Sequence, residues 1–516
     1  DIVVAMNPAT FTKEVEYILP GGVLLYPDDF TIEMARDDVV LYPMPVKKLI
    51  RDSEVSPRLK DYIANMVYVG VLAQLLGIDL DKIQQALAYH FKGKQGQIES
   101  NFRVIKMAAT WAESNLEKVD PYHIRPMNLT TGKIMADGNT AAALGSIYGG
   151  VQFIGWYPIT PASSLAEALN EYVPALRKDP VTGKDTCVIL QAEDELAAIG
   201  MAIGAGWAGL RAMTSTSGPG LSLMAEYLGL GYYAEVPVVI WDIQRVGPST
   251  GLPTRTAQGD LTFANYISHG DTKFIILLPG SIDECFEFGW KAFDLAERFQ
   301  TPVIVLSDLD LGMNNWISES FKYPDVPMDR GKVLWEEELE TFLQNNNGRW
   351  GRYLDIDGDG IPYRTIPGNR HPRSAYFARG TGHDEFANYS EDQNVWERVM
   401  DRLAKKYDNA RTAVPKPLVD MDGNTRHGII SYGSTEPAIH EARDILRKDN
   451  IHLDHLRIRA IPFSEEIETF IEEHDAIYVV EINRDGQIKQ LLTVAYPAMA
   501  TRLIPVSDVD GLALTA

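Results

Sequence analysis

An acidic run, Glu193, Asp194 and Glu195, lies where an apolar strand passes into a helix built almost entirely from small residues. Acidic side chains in a first helical turn can simply complement the helix dipole, and we expect this of Glu193 and Asp194. Glu195 begins a Glu-Leu-Ala-Ala run, so its direction should follow the buried small-residue face of the helix. A carboxyl group buried there could share a proton with a heterocyclic nitrogen, as general acid–base chemistry requires.

A second candidate is the loop YPITPASS at residues 157–164. Pro158 and Pro161 fix two φ angles and remove two backbone donors, so the loop should present the Thr160 hydroxyl rigidly to a ligand. The alternative is an ordinary helix start, in which one of the two serines of this loop caps the next helix.

The third candidate is the glycine loop TSTSGPG at residues 214–220, which opens into an apolar helix. Backbone N–H groups at such a helix start can bind a polar or anionic ligand edge. The loop lacks both the GxGxxG spacing and the lysine of a P-loop, so nucleotide binding is not expected.

A Gly-Asp-Gly tripeptide at 358–360 resembles part of two kinds of metal site, but the residues that complete each site are missing. With Asn388 downstream it has about the spacing of the diphosphate-and-metal motif of thiamine enzymes, but three nearby prolines interrupt the helix this motif requires. The surrounding DIDGDG also begins like a calcium loop, but Ile366 occupies the place of the bidentate glutamate. We therefore predict no metal site in this chain.

Length and composition restrict the class of protein. The 516 residues correspond to about three domains, and 45% apolar with 23% charged residues is typical of a globular chain. A net charge of −23 disfavours binding to nucleic acid and to anionic membranes. Only Cys187 and Cys285 are present, too few for an iron–sulfur cluster, and no apolar run approaches the ~20 residues of a membrane span. A reducing, cytoplasmic location is predicted.

The predicted fold class is α/β, with three parallel-sheet domains that position these motifs. Apolar runs such as TCVILQAE, RAMTSTS and VPVVIWDIQ alternate with helices and are typical of buried parallel strands. The predicted divisions are an N-terminal α/β domain at 1–116, a linker at 117–138, a second domain at 139–319, an insertion or connecting segment at 320–424, and a third domain at 425–516. Because Asp1 opens directly into an apolar strand without a signal-peptide pattern, we expect the natural start to precede it.

Long motifs in all three domains resemble one family. GNTAAALGSIYGGVQFIGWYPITPASS, TSTSGPGLSLMAEYLG and RVGPSTGLPTRTAQGDL resemble the α subunit of 2-oxoacid:ferredoxin oxidoreductases, most closely the 2-oxoglutarate type. NMVYVGVLAQLLG and FKGK resemble that family's γ domain, fused here ahead of the α part, and GIISYGSTEPAIHEA and VVEINRDGQIKQLL resemble its transketolase-C-like domain. The resemblance implies a γ-like domain, a thiamine pyrimidine-binding domain and a transketolase-C-like domain. The family's Gly-rich opening is absent before Asp1, so contacts to an acyl acceptor cannot be assigned.

The resemblance also implies roles for individual residues. Glu195 matches the catalytic glutamate that hydrogen-bonds the aminopyrimidine ring of thiamine diphosphate, and Thr160 and Arg245 match the groups that hold the 2-oxoacid carboxylate. Without the resemblance, an ordinary ion-pair role would be the better interpretation of Arg245. Arg255 is the candidate for a second substrate carboxylate, with His269 or a residue of a partner subunit as alternatives. The implied cofactor-binding residues are Pro158, Ile159, Glu195, Ser217, Gly218 and Gly220.

The implied reaction is the coenzyme-A-dependent oxidative decarboxylation of 2-oxoglutarate to succinyl-CoA and CO₂, with electrons passed to ferredoxin, or the reverse carboxylation. A partner β subunit is expected to bring the diphosphate–Mg²⁺ site and a [4Fe–4S] cluster, in an (αβ)₂ assembly. Other interpretations are a pyruvate or branched-chain 2-oxoacid oxidoreductase, a non-catalytic assembly subunit of the same fold, and a thiamine-dependent decarboxylase or synthase that needs no cluster.

Overall fold

The computed structural model describes residues 1–32, 36–423 and 425–516. The chain forms two compact units, Asp1–Thr131 and Gly132–Ala516. Both units combine parallel strands with helices, so the predicted α/β class is confirmed. The domain boundaries proposed inside the second unit stay predictions.

The first unit is built on a three-stranded parallel sheet in the order β1-β2-β3. Its elements are β1 (Ile2–Val4), α1 (Phe11–Tyr17), β2 (Val23–Pro27), β3 (Val40–Met44), α2 (Val46–Asp52), α3 (Lys60–Ile63), α4 (Asn65–Leu76), α5 (Leu80–His90) and α6 (Gln95–Asn115). The apolar helix α4 packs against α6 at Gly70, where an added Cβ atom would lie 2.7 Å from the Cβ of Ala108. This close approach lets both helices contribute to one core with β2 and β3.

The second unit contains most of the chain. In order, its elements are β4 (Ile134–Ala136), α7 (Gly138–Tyr148), β5 (Phe153–Trp156), α8 (Ser163–Leu176), β6 (Val188–Gln191), α9 (Glu195–Trp207), β7 (Ala212–Thr216), α10 (Gly218–Leu223), α11 (Ala225–Tyr233), β8 (Val238–Gln244), α12 (Leu261–Asn265), β9 (Ile275–Leu277), α13 (Ile282–Phe299), β10 (Pro302–Asp308), α14 (Leu309–Met313), β11 (Trp316–Ser318), α15 (Glu336–Asn345), α16 (Gln393–Ala410), β12 (Leu418–Asp420), β13 (His427–Tyr432), α17 (Glu436–Lys448), β14 (Asp454–Ile458), β15 (Ala460–Ile461), α18 (Glu465–Glu473), β16 (Ala476–Glu481), α19 (Gln487–Ala495) and β17 (Leu503–Ser507).

Two larger sheets organise this second unit. The seven-stranded central sheet has the order β15-β9-β10-β8-β7-β5-β6, with every pair parallel except β15–β9. The five-stranded C-terminal sheet has the order β12-β14-β13-β16-β17 and is parallel except at β12. Ile240 of the central sheet and Ile430 and Ile477 of the C-terminal sheet belong to one apolar core. The two sheets are therefore parts of one packed body.

The connecting segment, described over residues 320–423, packs on this body through buried charges. Glu235, which follows α11, is buried and accepts hydrogen bonds from Arg402 (2.5 Å) and Lys406 (2.7 Å) of α16. These two cations hold the pKa of Glu235 well below its usual range against the effect of burial, while burial lowers the pKa of Lys406 to about 8. The charged helix expected in a connecting segment thus forms part of the interior.

In the described residues, none of the helices combines the length and the apolar composition that crossing a membrane would require.

Candidate active site

The candidate residues all follow strands of the central sheet at their carboxyl ends. Thr160 follows β5, Glu195 follows β6, Ser217 follows β7 and Arg245 follows β8. Because these four strands are parallel, their carboxyl ends meet along one edge, where open α/β sheets bind ligands. The topology brings together side chains that lie as many as 85 residues apart in sequence.

Glu195 is the first residue of α9, and its neighbours have different surroundings. Asp194 caps the helix, accepting a hydrogen bond from the N–H of Ala197 at 2.7 Å, and Glu193 is exposed. Glu195 itself is buried, with 8% of its surface exposed, and none of the described residues donates a hydrogen bond to its carboxylate. Burial of the residue together with a carboxylate that no described side chain or backbone donor occupies distinguishes Glu195 from the two acids before it and leaves that carboxylate available to a ligand.

The glycine loop lies directly against this carboxylate. A Cβ atom added at Gly220 would lie 2.7 Å from the Cγ atom of Glu195 and 3.0 Å from its Oε1 atom. Only glycine leaves room for this approach. The same loop buries Ser217, whose hydroxyl has no hydrogen-bond partner among the described residues. The loop and the start of α9 therefore present both an acceptor and an unpaired hydroxyl at one point of the sheet edge.

Small residues place α9 tightly against the sheet. A Cβ atom at Gly155 of β5 would lie 2.8 Å from the carbonyl oxygen of Ala198, and one at Gly206 would clash with the carbonyl of Pro237. No side chain separates the helix backbone from its neighbours at these positions. Because the helix cannot shift without steric conflict, the position of the Glu195 backbone is closely determined.

Arg245 and the Thr160 loop are in direct contact. Arg245 is buried, and its Nη1 and Nη2 atoms donate to the carbonyl oxygens of Thr160 (2.6 Å) and Thr250 (2.8 Å). Its Nε–H is buried without a partner, and no carboxylate of the described chain forms a salt bridge with it, whereas buried Arg211 and Arg457 both have such partners. Burial lowers the pKa of Arg245. A buried guanidinium that has no carboxylate within ion-pair distance is suited to binding a ligand carboxylate.

A cavity of about 800 Å³ lies beside Arg245. It is lined by residues 245–250, by the start of α10, by Asp260 and by residues that precede α19, including Arg484 and Asp485. Ser217 lies in the glycine loop and Glu195 lies next to it, but neither residue lines this cavity. The cavity therefore extends from the predicted carboxylate site toward the C-terminal sheet.

Arg255 occupies a different place from Arg245. Its side chain is exposed, packs its methylene groups against Gly511 and is absent from the cavity lining. His269 is exposed and lies near Glu226, outside this cavity. Arg484, which no motif in the sequence singles out, does line the cavity and pairs with Asp485 at 2.7 Å. Thr160 is exposed, as are Pro158 and in part Ile159.

Gln258 connects the loop after Arg245 to the C-terminal sheet. Its backbone N–H donates to the carbonyl of Ile482 at 2.7 Å, and its side-chain amide both donates to the carbonyl of Tyr432 (3.0 Å) and accepts from the N–H of Ile482 (3.0 Å). Its carbonyl oxygen accepts from the side-chain amide of Asn483 at 3.0 Å. One buried glutamine thus joins two walls of the cavity.

Comparisons with known proteins agree with this geometry. Residues 144–320 match the family model described as "Pyruvate flavodoxin/ferredoxin oxidoreductase, thiamine diP-bdg", and residues 1–111 match "Pyruvate ferredoxin/flavodoxin oxidoreductase". The α subunit of 2-oxoacid:ferredoxin oxidoreductase 1 from Sulfurisphaera tokodaii is 34% identical over 504 residues, covering 95% of this chain and 77% of the relative. The chain belongs to the 2-oxoacid:ferredoxin oxidoreductase family. The 2-oxoglutarate synthase subunit KorA from Methanothermobacter thermautotrophicus is 34% identical over 382 residues, 73% of this chain and 94% of the relative.

A solved 2-oxoacid:ferredoxin oxidoreductase has the same fold. The 2-oxoglutarate:ferredoxin oxidoreductase from Magnetococcus marinus, solved with 2-oxoglutarate, coenzyme A and succinyl-CoA bound, superimposes with a TM-score of 0.85 at 29% identity. The superposition covers 100% of this chain and 86% of that one. The family resemblance predicted from the motifs is confirmed over both units.

The donor and acceptor groups of the sheet edge fit the pyrimidine half of thiamine diphosphate. The unpartnered Glu195 carboxylate can pair with a ring nitrogen, and the buried hydroxyl of Ser217 beside it lacks any partner among the described residues. The glycines at 218 and 220 leave space that a side chain would fill. A flat heterocycle is the kind of group this arrangement can accept.

The diphosphate half does not fit the Gly-Asp-Gly loop of this oxidoreductase chain. The Nζ atom of Lys332 lies 2.6 Å from Asp357 Oδ2 and 2.9 Å from Asp359 Oδ1, so an ammonium group already pairs with both carboxylates. Asp355 accepts backbone N–H bonds from within the loop. Residues 346–392 form neither helix nor strand, and no group of three metal-ligating side chains occurs in the part of the chain that the structure describes.

Proposed function

We propose that this 2-oxoacid:ferredoxin oxidoreductase subunit forms the pyrimidine side of an active site that converts 2-oxoglutarate and coenzyme A to succinyl-CoA and CO₂. Electrons pass to ferredoxin, or the reaction runs in reverse as a carboxylation. One observation carries the proposal: a buried arginine without a salt-bridge partner lies on the same sheet edge as a buried glutamate whose carboxylate accepts no hydrogen bond from the described residues. Both groups are available to a ligand of the kind this reaction provides.

In the proposed mechanism, each protein group acts at a stated atom. When bound, thiamine diphosphate supplies a nucleophilic carbon and an electron sink for decarboxylation. The Glu195 carboxylate holds and returns a proton at a pyrimidine ring nitrogen. The Arg245 guanidinium binds the 2-oxoacid carboxylate through its planar fork, exchanging its bonds to the Thr160 and Thr250 carbonyls for bonds to the substrate. The Thr160 hydroxyl assists at the same carboxylate.

The remaining cofactor contacts come from the two loops beside Glu195. We propose that Pro158 and Ile159 of one loop and Ser217, Gly218 and Gly220 of the other border the pyrimidine ring. Their backbone positions follow the ends of two neighbouring parallel strands, so they approach a ligand from the same edge as Glu195.

A partner β subunit completes the proposed site. The acidic loop around Asp359 is closed by Lys332, so the diphosphate and Mg²⁺ need ligands from another chain. The two cysteines are free and buried, and burial raises the pKa of Cys187 to about 11, which disfavours the thiolate a cluster needs. We therefore assign the [4Fe–4S] cluster to the β subunit in an (αβ)₂ assembly, and the enzyme to the reducing cytoplasm.

The isolated chain is expected to be colourless and to bind thiamine diphosphate weakly or not at all. The reason is that an anionic diphosphate requires a cation and donors, whereas the Asp357 and Asp359 carboxylates, which could hold such a cation, are already paired with Lys332. Absorbance near 400 nm, iron content and calorimetric titration with thiamine diphosphate and Mg²⁺ measure this, with the β-containing complex as the positive control. Stoichiometric cofactor or iron in the chain alone would contradict the proposal.

Two arguments support our proposal that the enzyme prefers 2-oxoglutarate to pyruvate: the names of its relatives, and the charge of the second substrate carboxylate. Relatives named 2-oxoglutarate synthase and a solved structure holding 2-oxoglutarate are among the similar proteins. A second substrate carboxylate needs a cation in a chain of net charge −23. The sequence favours Arg255 for this role, and Arg484 has the advantage of lining the cavity beside Arg245.

We expect kcat/KM for 2-oxoglutarate to exceed that for pyruvate and for 2-oxoisovalerate by more than about tenfold, or ~1.4 kcal/mol. Either Arg255 or Arg484 is proposed to bind the second carboxylate of 2-oxoglutarate. Replacing that arginine by alanine should raise KM for 2-oxoglutarate and leave KM for pyruvate unchanged, so the variants Arg255→Ala and Arg484→Ala are compared. A preference for either monocarboxylic acid rejects the substrate assignment and leaves the reaction type intact. An inactive complex with all three acids would favour the non-catalytic assembly subunit.

A further inference from the structure

A loop of exposed residues, 247–255, forms part of the wall beside Arg245. The loop lies between β8 and α12, and residues 247–250 line the cavity. Because all of its residues are exposed, packing in the core contributes little to its conformation. Hydrogen bonds therefore hold the loop in place.

Backbone hydrogen bonds close the base of this loop. Val246 N–H donates to the Arg255 carbonyl (3.0 Å), Leu252 N–H to the Val246 carbonyl (2.9 Å) and Arg255 N–H to the Leu252 carbonyl (3.0 Å). Beyond this base lies the loop tip, residues 247–251. Among the described residues, one hydrogen bond reaches the tip, and its donor is Arg245.

The tip is held in a strained backbone conformation. Ser249 has a φ of +58°, in the left-handed region that a residue with a side chain adopts only at a cost, and Gly251 has a φ of +53°. A Cβ atom at Gly251 would lie 1.8 Å from the Val246 carbonyl oxygen, so only glycine fits there. Thr250 lies between these two residues, and its carbonyl oxygen accepts the bond from Arg245 Nη2 at 2.8 Å. Such a conformation persists only where its surroundings hold it, and this bond is one of the restraints.

The same nitrogen of Arg245 lies on an edge that binds carboxylates. A guanidinium can hold a carboxylate through two parallel N–H donors, and Arg484 holds Asp485 in this way through Nε (2.7 Å) and Nη2 (3.0 Å). The Nε–H of Arg245 is buried without a partner among the described residues. A carboxylate on the Nε–Nη2 edge of Arg245 therefore competes with the Thr250 carbonyl for Nη2.

We propose that Arg245 latches the loop tip, residues 247–251, and that a substrate carboxylate bound on the Nε–Nη2 edge releases it. This inference rests on the proposed role of Arg245 as the carboxylate site. In the free enzyme, the bond to Thr250 keeps Ser249 in its left-handed conformation. When the carboxylate takes Nη2, the tip loses that bond and Ser249 relaxes. Because the tip forms part of the cavity wall, the wall changes when the carboxylate site is filled.

The backbone of Ser249 determines the sign of the effect on binding. Release of the tip recovers the cost of the left-handed conformation, so this strain favours carboxylate binding. Glycine adopts a positive φ readily, so Ser249→Gly stabilises the latched loop and weakens binding. Valine is β-branched and fits a positive φ poorly, so Ser249→Val loosens the latch and strengthens binding. Ser249 is thus a positioning residue that acts through the loop.

The test uses the complex with its β subunit and glutarate, which lacks the oxo group and cannot react. We expect the inhibition constant of glutarate against 2-oxoglutarate to rise about fivefold in Ser249→Gly and to fall in Ser249→Val. Ser268→Gly is the matched control, because Ser268 has a φ of +78° and does not line the Arg245 cavity. This control should keep the wild-type constant. An unchanged constant in both Ser249 variants, or a change of the opposite sign in either, overturns the inference.

Hydrogen exchange of the wild-type complex measures the release without any substitution. The Leu252 and Arg255 amides at the loop base are hydrogen-bonded, and we expect glutarate to speed their exchange because the freed tip no longer restrains the base. A ligand that merely covers the cavity would slow this exchange. Slower or unchanged exchange in peptides that span residues 246–255 rejects the latch.

Failure of the latch can be told apart from failure of the proposed function. An Arg245→Ala variant that binds glutarate as the wild type does overturns the carboxylate site itself. Weaker glutarate binding in Arg245→Ala, together with wild-type constants in both Ser249 variants, keeps the carboxylate site and rejects the latch alone.

Discussion

Replacement of Glu195 by glutamine is expected to lower kcat of the complex by about 10³-fold while leaving assembly intact. The amide keeps the size of the side chain, so the close contact with Gly220 is preserved. It cannot hold and return a proton as a carboxylate does. The measurement is steady-state turnover with ferredoxin, together with the exchange of the C2 proton of bound thiamine diphosphate followed by NMR.

Glu193→Gln is the matched control for this change. Glu193 is exposed and lies two residues away, so the substitution makes the same chemical change at the same helix start without touching the sheet edge. We expect wild-type turnover and proton exchange from it. Wild-type exchange in Glu195→Gln with slow exchange in Glu193→Gln would transfer the role to Glu193.

Removal of the Arg245 guanidinium is expected to raise KM for the 2-oxoacid by about 10²-fold, the value of one or two hydrogen bonds to a charged group. Arg245→Lys should recover only part of this loss, because an ammonium group cannot form the two parallel bonds of the fork. The substitution also frees the Thr160 and Thr250 carbonyls, which leaves the loops without their common donor. Initial-rate kinetics of the complex over a range of 2-oxoacid concentrations measure both variants.

A surface arginine provides the comparison. Arg426 is exposed and pairs with Asp475 at 2.5 Å, far in sequence from the cavity residues, and Arg426→Ala should leave both KM and kcat unchanged. If Arg245→Ala behaves like this control, the substrate carboxylate binds elsewhere. A fall in kcat with constant KM would instead assign Arg245 to a step after binding.

The location of the site could be predicted because it depends on local patterns and one rule of topology. Short apolar runs predicted the strands that end before Glu195, Ser217 and Arg245, whereas the strand before Thr160 was not predicted. Parallel neighbouring strands bring the residues after their carboxyl ends to one edge of the sheet. The hydrogen bond between Arg245 and the Thr160 loop joins residues 85 positions apart. Predicting it would have required the order of the strands in the sheet, and the periodicity of apolar residues does not reveal that order.

Other features could not be predicted because they depend on contacts between distant residues. Asp242 interrupts the apolar run VPVVIWDIQ, and its complete burial on β8 depends on the elements that pack over that strand. Lys332 pairs with the Gly-Asp-Gly loop, and Glu235 pairs with Lys406 of α16. No sequence motif links either pair of segments, so these contacts were not predicted. Polarity predicted exposure for Glu235 and Lys406, whereas their ion pair allows both to be buried.

The hydrogen bonds that Gln258 makes to the C-terminal sheet have a consequence for the order in which the protein is made. A ribosome releases residues 245–260 more than 200 residues before it reaches Ile482 and Asn483, the partners that Gln258 needs. Until that point the loop after Arg245 has unpaired polar groups and no C-terminal sheet to pack against. The central sheet can form early in synthesis, but the substrate cavity is completed only when the last strands leave the ribosome. Truncation before β16 would therefore leave a folded sheet edge that carries Glu195 without an ordered binding site for the 2-oxoacid.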